Sequence, residues 1–290
     1  MMALTHSQVL RTVPFLIAVC LLAVPAQAKY SGGGGTAQDP YQIATAADLI
    51  ALGETPGDYD KHFLLTADID LDPKLPGRKV FDKAVIAPAP SYAGGTPFAG
   101  VFDGDCHTIS HLTIVGRAHL GLFGLLGYQG EVENLGVADM QIVGSGDYVA
   151  GLVGNNSGTV TQCYGTGTVS GITYIGGLVG RNYGAMTACF STGAVSGREE
   201  VGGLVGCSVN HGAVTHCYST GAVRGCQVSA VLQGGPSTWV GATAPVPSQV
   251  QAKMSAGCSG GATGRWPPSG TCRPPGRPVA PVAPARPQPR

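Results

Sequence analysis

The chain has 290 residues, 17 Lys and Arg against 17 Asp and Glu, and 46 Gly, but only 12% charged and 7% aromatic residues. Zero net charge without a basic stripe argues against nucleic acid as a partner, and so much glycine without a collagen period points to many tight turns. The charge is segregated, with every Asp and Glu at or before Glu200 and Arg224, Lys253, Arg265, Arg273, Arg277, Arg286 and Arg290 following it.

Residues 1–28 have the pattern of an export signal. Arg11 precedes an apolar run over residues 13–24, which ends in Ala26-Gln27-Ala28, a small-x-small cleavage site. The run is too short for a stable membrane span. Cleavage after Ala28 removes Cys20 and leaves eight cysteines in a compartment that permits disulfides. No later stretch is long and apolar enough to cross a bilayer, so the mature chain is expected to be secreted or held at the cell surface by other means.

Residues 29–62 form an N-terminal cap region. Thr45 followed by Asp48 resembles a capping box, and residues 46–52 are good helix formers ended by Gly53. A short helix there is expected to cover the first coil, whose open strand edge would otherwise invite aggregation. A strand is predicted over residues 63–71, with Phe63, Leu65, Ala67, Ile69 and Leu71 on one face. Asp68, Asp70 and Asp72 then project from the opposite face, where three carboxylates are a candidate Ca²⁺ site. The EF-hand pattern fails, because Pro73 stands at the sixth loop position and Lys79 where the terminal Glu belongs, and the competing reading is a solvated acidic edge.

The strongest signal is self-similarity. Residues 150–171 read AGLVGNNSGTVTQCYGTGTVSG, residues 176–197 read GGLVGRNYGAMTACFSTGAVSG, and residues 202–225 read GGLVGCSVNHGAVTHCYSTGAVRG. Gly151, Gly177 and Gly203 follow one another at 26 residues. Three apolar slots recur: Leu152, Leu178 and Leu204; Val160, Met186 and Val214; Val169, Val195 and Val223. Between them, Asn156-Ser157-Gly158, Asn182-Tyr183-Gly184 and Asn210-His211-Gly212 are expected to supply left-handed turns. Strands this short are unstable alone but gain a hydrogen-bond ladder above and below when coils stack at ~4.8 Å. The fold expected is therefore all-β: a right-handed parallel β-solenoid over residues 63–225. A propeller blade needs roughly forty residues. Degenerate copies extend the stack toward the N-terminus through Gly121-Leu122-Phe123-Gly124, Val132, Leu135 and Val143, and before them through FAGVFDGDCHTISHLTIVG, residues 98–116.

The recurring Gly-Leu-Val-Gly at residues 151–154, 177–180 and 203–206, with DPYQIATAADLIALG, FLLTADIDLDP and FAGVFDGDCHTIS before it, resembles the GLUG-motif family of exported bacterial proteins. The resemblance covers residues 39–225. It implies secretion, a β-solenoid, and roles in adhesion or as accessory regions of large surface proteins, some of them proteases; it supplies no catalytic residues. The third copy departs from the others by two extra residues around Cys207 to Val209.

Cys163, Cys189 and Cys217 share one slot, which suggests a metal ladder or disulfides; Leu135 in the preceding copy makes it a slot for a buried hydrophobe instead. Parallel side chains on neighbouring coils are also badly directed for a disulfide. Cys207 with Cys226, and Cys258 with Cys272, are freer to pair. Tyr164, Phe190 and Tyr218, also one slot, and Tyr183 offer aromatic platforms for sugars, or stack on each other. His107, His111, His119, His211 and His216 have no evident partner in the sequence, and Arg181, Arg198, Glu199 and Glu200 recur in no pattern. No G-x-S-x-G, HExxH or phosphate loop is present, so no catalytic residue and no cofactor is assigned. The expected function is a non-catalytic scaffold binding extracellular glycans or surface proteins. The alternatives are a carbohydrate-active lyase or hydrolase on the same fold, and a fragment of a larger surface protein. Residues 226–290, rich in Pro, Arg and Gly and without acids, are expected to be a disordered tail or the product of a shifted reading frame.

Overall fold

The computed structural model describes residues 29–89, 94–209 and 212–225. The expected export signal, the tail, and the cysteines at 226, 258 and 272 lie outside them. Within them the chain is an all-β parallel solenoid, as the repeat requires. Each full coil runs through four sheets in turn, as in Thr159–Thr161, Tyr164–Ser170, Thr173–Gly176 and Val179–Asn182. The first sheet has seven strands, the second nine, the third three and the fourth four, and every pairing between these strands is parallel.

The register reproduces the sequence period. Val153 pairs with Val179 and Val179 with Val205, while Val160 pairs with Met186 and Met186 with Val214. The extra residues of the third copy lie in the corner between the fourth and first sheets. There the offset grows from 26 at Val179↔Val205 to 28 at Ala185↔Ala213. The leucine slot sits at the preceding corner, where Leu152 N–H donates to Leu178 O at 3.0 Å and Leu178 N–H to Leu204 O at 2.9 Å. All three leucines are buried, and each contributes about 1.5–3 kcal/mol by leaving water. At the N-terminal end Phe63, Phe98, Phe102 and Phe123 fill the interior with ring centroids 5.2 to 6.4 Å apart. Smaller Val, Leu, Met and Cys side chains fill the later coils.

The helix Ala46–Gly53 forms as its sequence predicts, with both hydrogen bonds of the Thr45/Asp48 capping box present and Ala46, Leu49 and Leu52 buried. The β pairing starts before it: Tyr41–Ile43 lies parallel to His62–Leu65, with Tyr41 opposite Phe63.

Three local expectations differ from the structure. Residues 63–71 are not one strand but two, His62–Leu65 in the first sheet and Ile69–Asp70 in the second, with a corner between them. Alternation of buried and exposed residues survives a corner of this kind, so it cannot separate a straight strand from a bent one. Ile142, not Val143, pairs with Val169, because the register shifts by one between Gly165 and Gly167; Val143 faces outward. Finally, Asn156 and Asn182 are not left-handed turn residues. They end strands, and their side chains are fully buried. The Asn156 Nδ2 group donates to Asn182 Oδ1 at 2.7 Å, and Asn182 Nδ2 donates to Gly184 O at 3.2 Å. An amide in a dry corner must spend its donors and acceptors on protein, and the next coil supplies them.

Most left-handed positions among the described residues fall elsewhere, on residues with side chains. One column is Asn134, Gln162, Ala188 and His216, with φ between 52° and 55°. A second is His119, Tyr148, Tyr174 and Glu200, with φ between 51° and 61°.

Candidate ligand-binding faces

The outer surface carries three groups of functional side chains, each set by a corner or a strand register. The first lies on the second sheet, next to the cysteine slot. Tyr164, Phe190 and Tyr218 stack with centroids 5.2 Å apart and rings within 6° of parallel. Gly136 continues this row beneath Tyr164, since a Cβ there would meet the ring at 2.4 Å. Tyr164 Oη also shares a hydrogen bond of 2.9 Å with Thr108 Oγ1. The ring faces between neighbours are thus occupied by one another; Tyr164 is buried, while Phe190 and Tyr218 are partly exposed. On the inner side Cys163 and Cys189 are buried free thiols and Cys217 is a half-buried one, consistent with a packing slot. A hydrogen bond to the Cys163 sulfur, followed by burial, pushes the Cys189 thiol far up, and Cys217 is raised chiefly through Cys189. Cys207 is also free, and burial raises it.

The second group is the acidic edge with the histidines of the following coil. Asp68 Oδ1 accepts from Thr108 N–H at 2.8 Å and lies 3.2 Å from His107 Nδ1, while Asp70 Oδ1 accepts from Asp72 N–H at 2.9 Å and lies 2.8 Å from His111 Nδ1. Asp72 Oδ1 caps Lys74 N–H at 3.0 Å. These two histidines therefore do have partners, which the sequence hid because they come from a coil about forty residues later. The Asp72 backbone, then His111, holds the Asp70 carboxyl below its ordinary range, and Asp70 in turn raises His111. Asp68, Asp70 and Asp72 each serve a different backbone group. Among the described residues no set of three His, Cys, Asp or Glu is arranged to hold a metal ion.

The third group was not foreseen. The left-handed column brings His119, Tyr148 and Tyr174 into a stack with centroids 4.6 and 5.0 Å apart. Burial lowers the His119 imidazole. Beside the stack, on the fourth sheet, Arg181 sets its guanidinium carbon 4.9 Å from the Tyr174 ring, 4.7 Å from Tyr183 and 5.9 Å from Tyr148. Its Nη1 also donates to Tyr148 Oη at 3.2 Å. One coil below Arg181, in register, stands Asn155. Asn155 lines an open cleft of about 270 Å³ with Ser157, Tyr128, Leu125, Leu126 and Pro97. Only the recurrence of an aromatic at Tyr148 and Tyr174, 26 residues apart, hinted at this cluster in the sequence. Of the remaining charges, Arg198 lies 3.7 Å from Glu199 in an exposed pair. His216 is exposed, and His211 lies outside the described residues.

In-register coils, repeated apolar slots and corner-bound side-chain columns define a repeat-built parallel β-solenoid. The repeat is the GLUG motif, whose family model matches residues 197–224. Among characterised sequences, the chain is 35% identical to halomucin of Haloquadratum walsbyi over 142 residues, covering 48% of this chain and 2% of halomucin. It is 32% identical over 139 residues to a protein of Evansella cellulosilytica provisionally named a Gly-rich membrane protein, covering 45% of this chain and 15% of the other. The chain thus spans a small part of each of these relatives. A crystal structure from Bacteroides ovatus, provisionally titled an immunoglobulin A1 protease, aligns over 75% of this chain and 84% of its own, at 19% identity and a TM-score of 0.45. Among the described residues no helix is long and apolar enough to cross a membrane.

Proposed function

We propose that the chain is a non-catalytic scaffold, exported and held at or outside the cell surface, that binds glycans or surface proteins along its side. The observation carrying this reading is the repetition of outward rows along a hydrogen-bonded rod. Thr161, Thr187 and Thr215 stand in register on the first sheet, as do Phe190 and Tyr218 on the second, above the buried Tyr164. Such rows offer the same chemistry at the constant interval of ~4.8 Å, which suits a ligand that is itself repetitive or met at several points at once. On the acidic edge, Asp68 with His107 and Asp70 with His111 are engaged with backbone and with each other, which favours binding over turnover there. The export pattern of residues 1–28 and the membrane in one relative's name support a place at the surface.

The test is a glycan and surface-protein array run beside a reducing-end release assay. Retention without release is expected. Release of reducing ends by the purified chain would replace the scaffold with a carbohydrate-active enzyme.

A further inference from the structure

We propose that the tyrosine-enclosed Arg181, with Asn155 one coil below it, is a binding site for the carboxylate of an acidic sugar. The proposal rests on the glycan-binding reading above and goes beyond it in naming a site and a ligand class. Arg181 is a cation in an unusual position. Its guanidinium carbon lies 4.7 to 5.9 Å from the rings of Tyr148, Tyr174 and Tyr183, and its Nε is buried without a hydrogen-bond partner. Among the described residues no carboxylate lies within ion-pair distance of it. A partly desolvated guanidinium normally has an anion beside it, because three aromatic rings replace only part of the hydration it gives up. With Nη1 engaged by Tyr148 and Nε enclosed, Nη2 and the outer edge of the fork remain for a carboxylate from outside.

The surroundings favour a sugar over an acidic peptide. The exposed ring of Tyr128, in the cleft beside Asn155, suits the C–H face of a pyranose. Asn155 and Ser157 in the adjoining cleft, with the highly exposed Tyr128, supply hydroxyl-matching donors and acceptors. Asn155 Oδ1 also has no hydrogen-bond partner. Because Asn155 and Arg181 are in-register neighbours on adjacent coils, a carboxylate at Arg181 places its ring, or the next ring, over the Asn155 cleft. Glu200 stands one coil above Tyr174 as Cys207 stands one coil above Arg181, and Glu200 and Arg181 both act electrostatically on Cys207, so Glu200 is the negative group on the upper side of the site.

The experiment is isothermal titration of the full chain with a galacturonate hexamer, a neutral galactose hexamer and a glutamate hexamer at physiological salt. It is repeated with Arg181→Gln, Arg181→Lys and Glu200→Gln, with thermal melts as the folding control. Expected is uronate binding at least ~10-fold tighter than to either other hexamer, a loss of ~10-fold or more in Arg181→Gln with a smaller loss in Arg181→Lys, and a gain in Glu200→Gln, all with melts near the parent's. Equal binding of galactose and galacturonate, or uronate binding unchanged in Arg181→Gln, overturns the acidic-sugar site while leaving the glycan scaffold standing. Equal binding of the glutamate hexamer makes the site a general anion site and overturns the sugar assignment. Retention of no glycan of either kind here, and none on the array, removes the underlying reading as well. Should Arg181→Gln melt far below the parent, the Arg181→Lys and Glu200→Gln affinities decide alone.

Discussion

Substituting Asn182 by Leu isolates the energetic role of the buried amide ladder. Leu has the branching and heavy-atom count of Asn but a larger volume, so the corner is left without a cavity and is somewhat overpacked. What disappears from this fully buried side chain is the acceptor for Asn156 Nδ2 at 2.7 Å and the donor to Gly184 O at 3.2 Å and Ser208 Oγ at 3.4 Å. Asn156 Nδ2 left without a partner costs about 1–3 kcal/mol and overpacking by the larger Leu adds about 1–3 kcal/mol, while Gly184 O keeps its bond from Ala213 N–H and burial of the Leu side chain offsets about 2 kcal/mol. The net expectation is a loss of about 2 kcal/mol. Urea unfolding followed by far-ultraviolet circular dichroism measures it as a lower midpoint at unchanged slope. The same measurement on Asn156→Leu and on the double variant closes a cycle, in which the amides should couple by at least ~0.5 kcal/mol. A single-variant loss within the ~0.5 kcal/mol of an ordinary surface change, or strict additivity, would refute the ladder as a stabilising contact.

Gly184→Ala should destabilise by clearly more than ~1 kcal/mol, because its Cβ would lie 2.0 Å from the Gly158 carbonyl oxygen of the coil below, whereas Gly57→Ala, with nothing within 4 Å, should be near neutral in the same unfolding assay. His111 should titrate above its ordinary 6.5 in proton NMR, and Asp70→Asn should return it toward that value. The raised imidazole contributes stability that is full below about pH 6.5 and is lost as pH rises through its folded value; the lowered Asp70 contributes above about pH 3.8 and loses it as pH falls through its folded value. The pair therefore helps most between those limits, by well under ~1 kcal/mol since both groups are about half exposed, and a flat His111 shift across Asp70→Asn would disprove the contact. Iodoacetamide followed by peptide mapping should label Cys207 and Cys217 in the native chain, slowly because both thiols are raised, and Cys163 and Cys189 only in denaturant; native labelling of Cys189 would place the slot outside the core.

Much of the architecture was legible because a solenoid is nearly one-dimensional: a residue's neighbours are the residues one period away. The 26-residue recurrence placed Leu152, Leu178 and Leu204 over one another, and the aligned slots of the copies, despite offsets of 28, put Leu135 beneath Cys163 and made Tyr164, Phe190 and Tyr218 a stack. The Thr45/Asp48 capping box was equally readable, since both partners lie within one helical turn. Where the period slips by one residue, as before Ile142, the same logic chose the wrong valine.

The candidate sites were less legible, for a physical reason. Repeats specify what stacks along the axis but not how the chain turns between sheets, and the functional side chains sit at those turns. Left-handed backbone at Tyr148, where a sequence reading looks for Gly or Asn, is held by a hydrogen bond from its N–H to Thr173 O of the next coil, as Gln162 and Ala188 are held to Thr187 and Thr215. Asp68 and Asp70 meet His107 and His111 across coils that share no period. By itself, then, the sequence determined the coil, its slots and its cap. The tertiary structure decided where the corners fall, and so which side chains from different sheets, Arg181 with Tyr148, Tyr174 and Tyr183 above all, come within reach of one another.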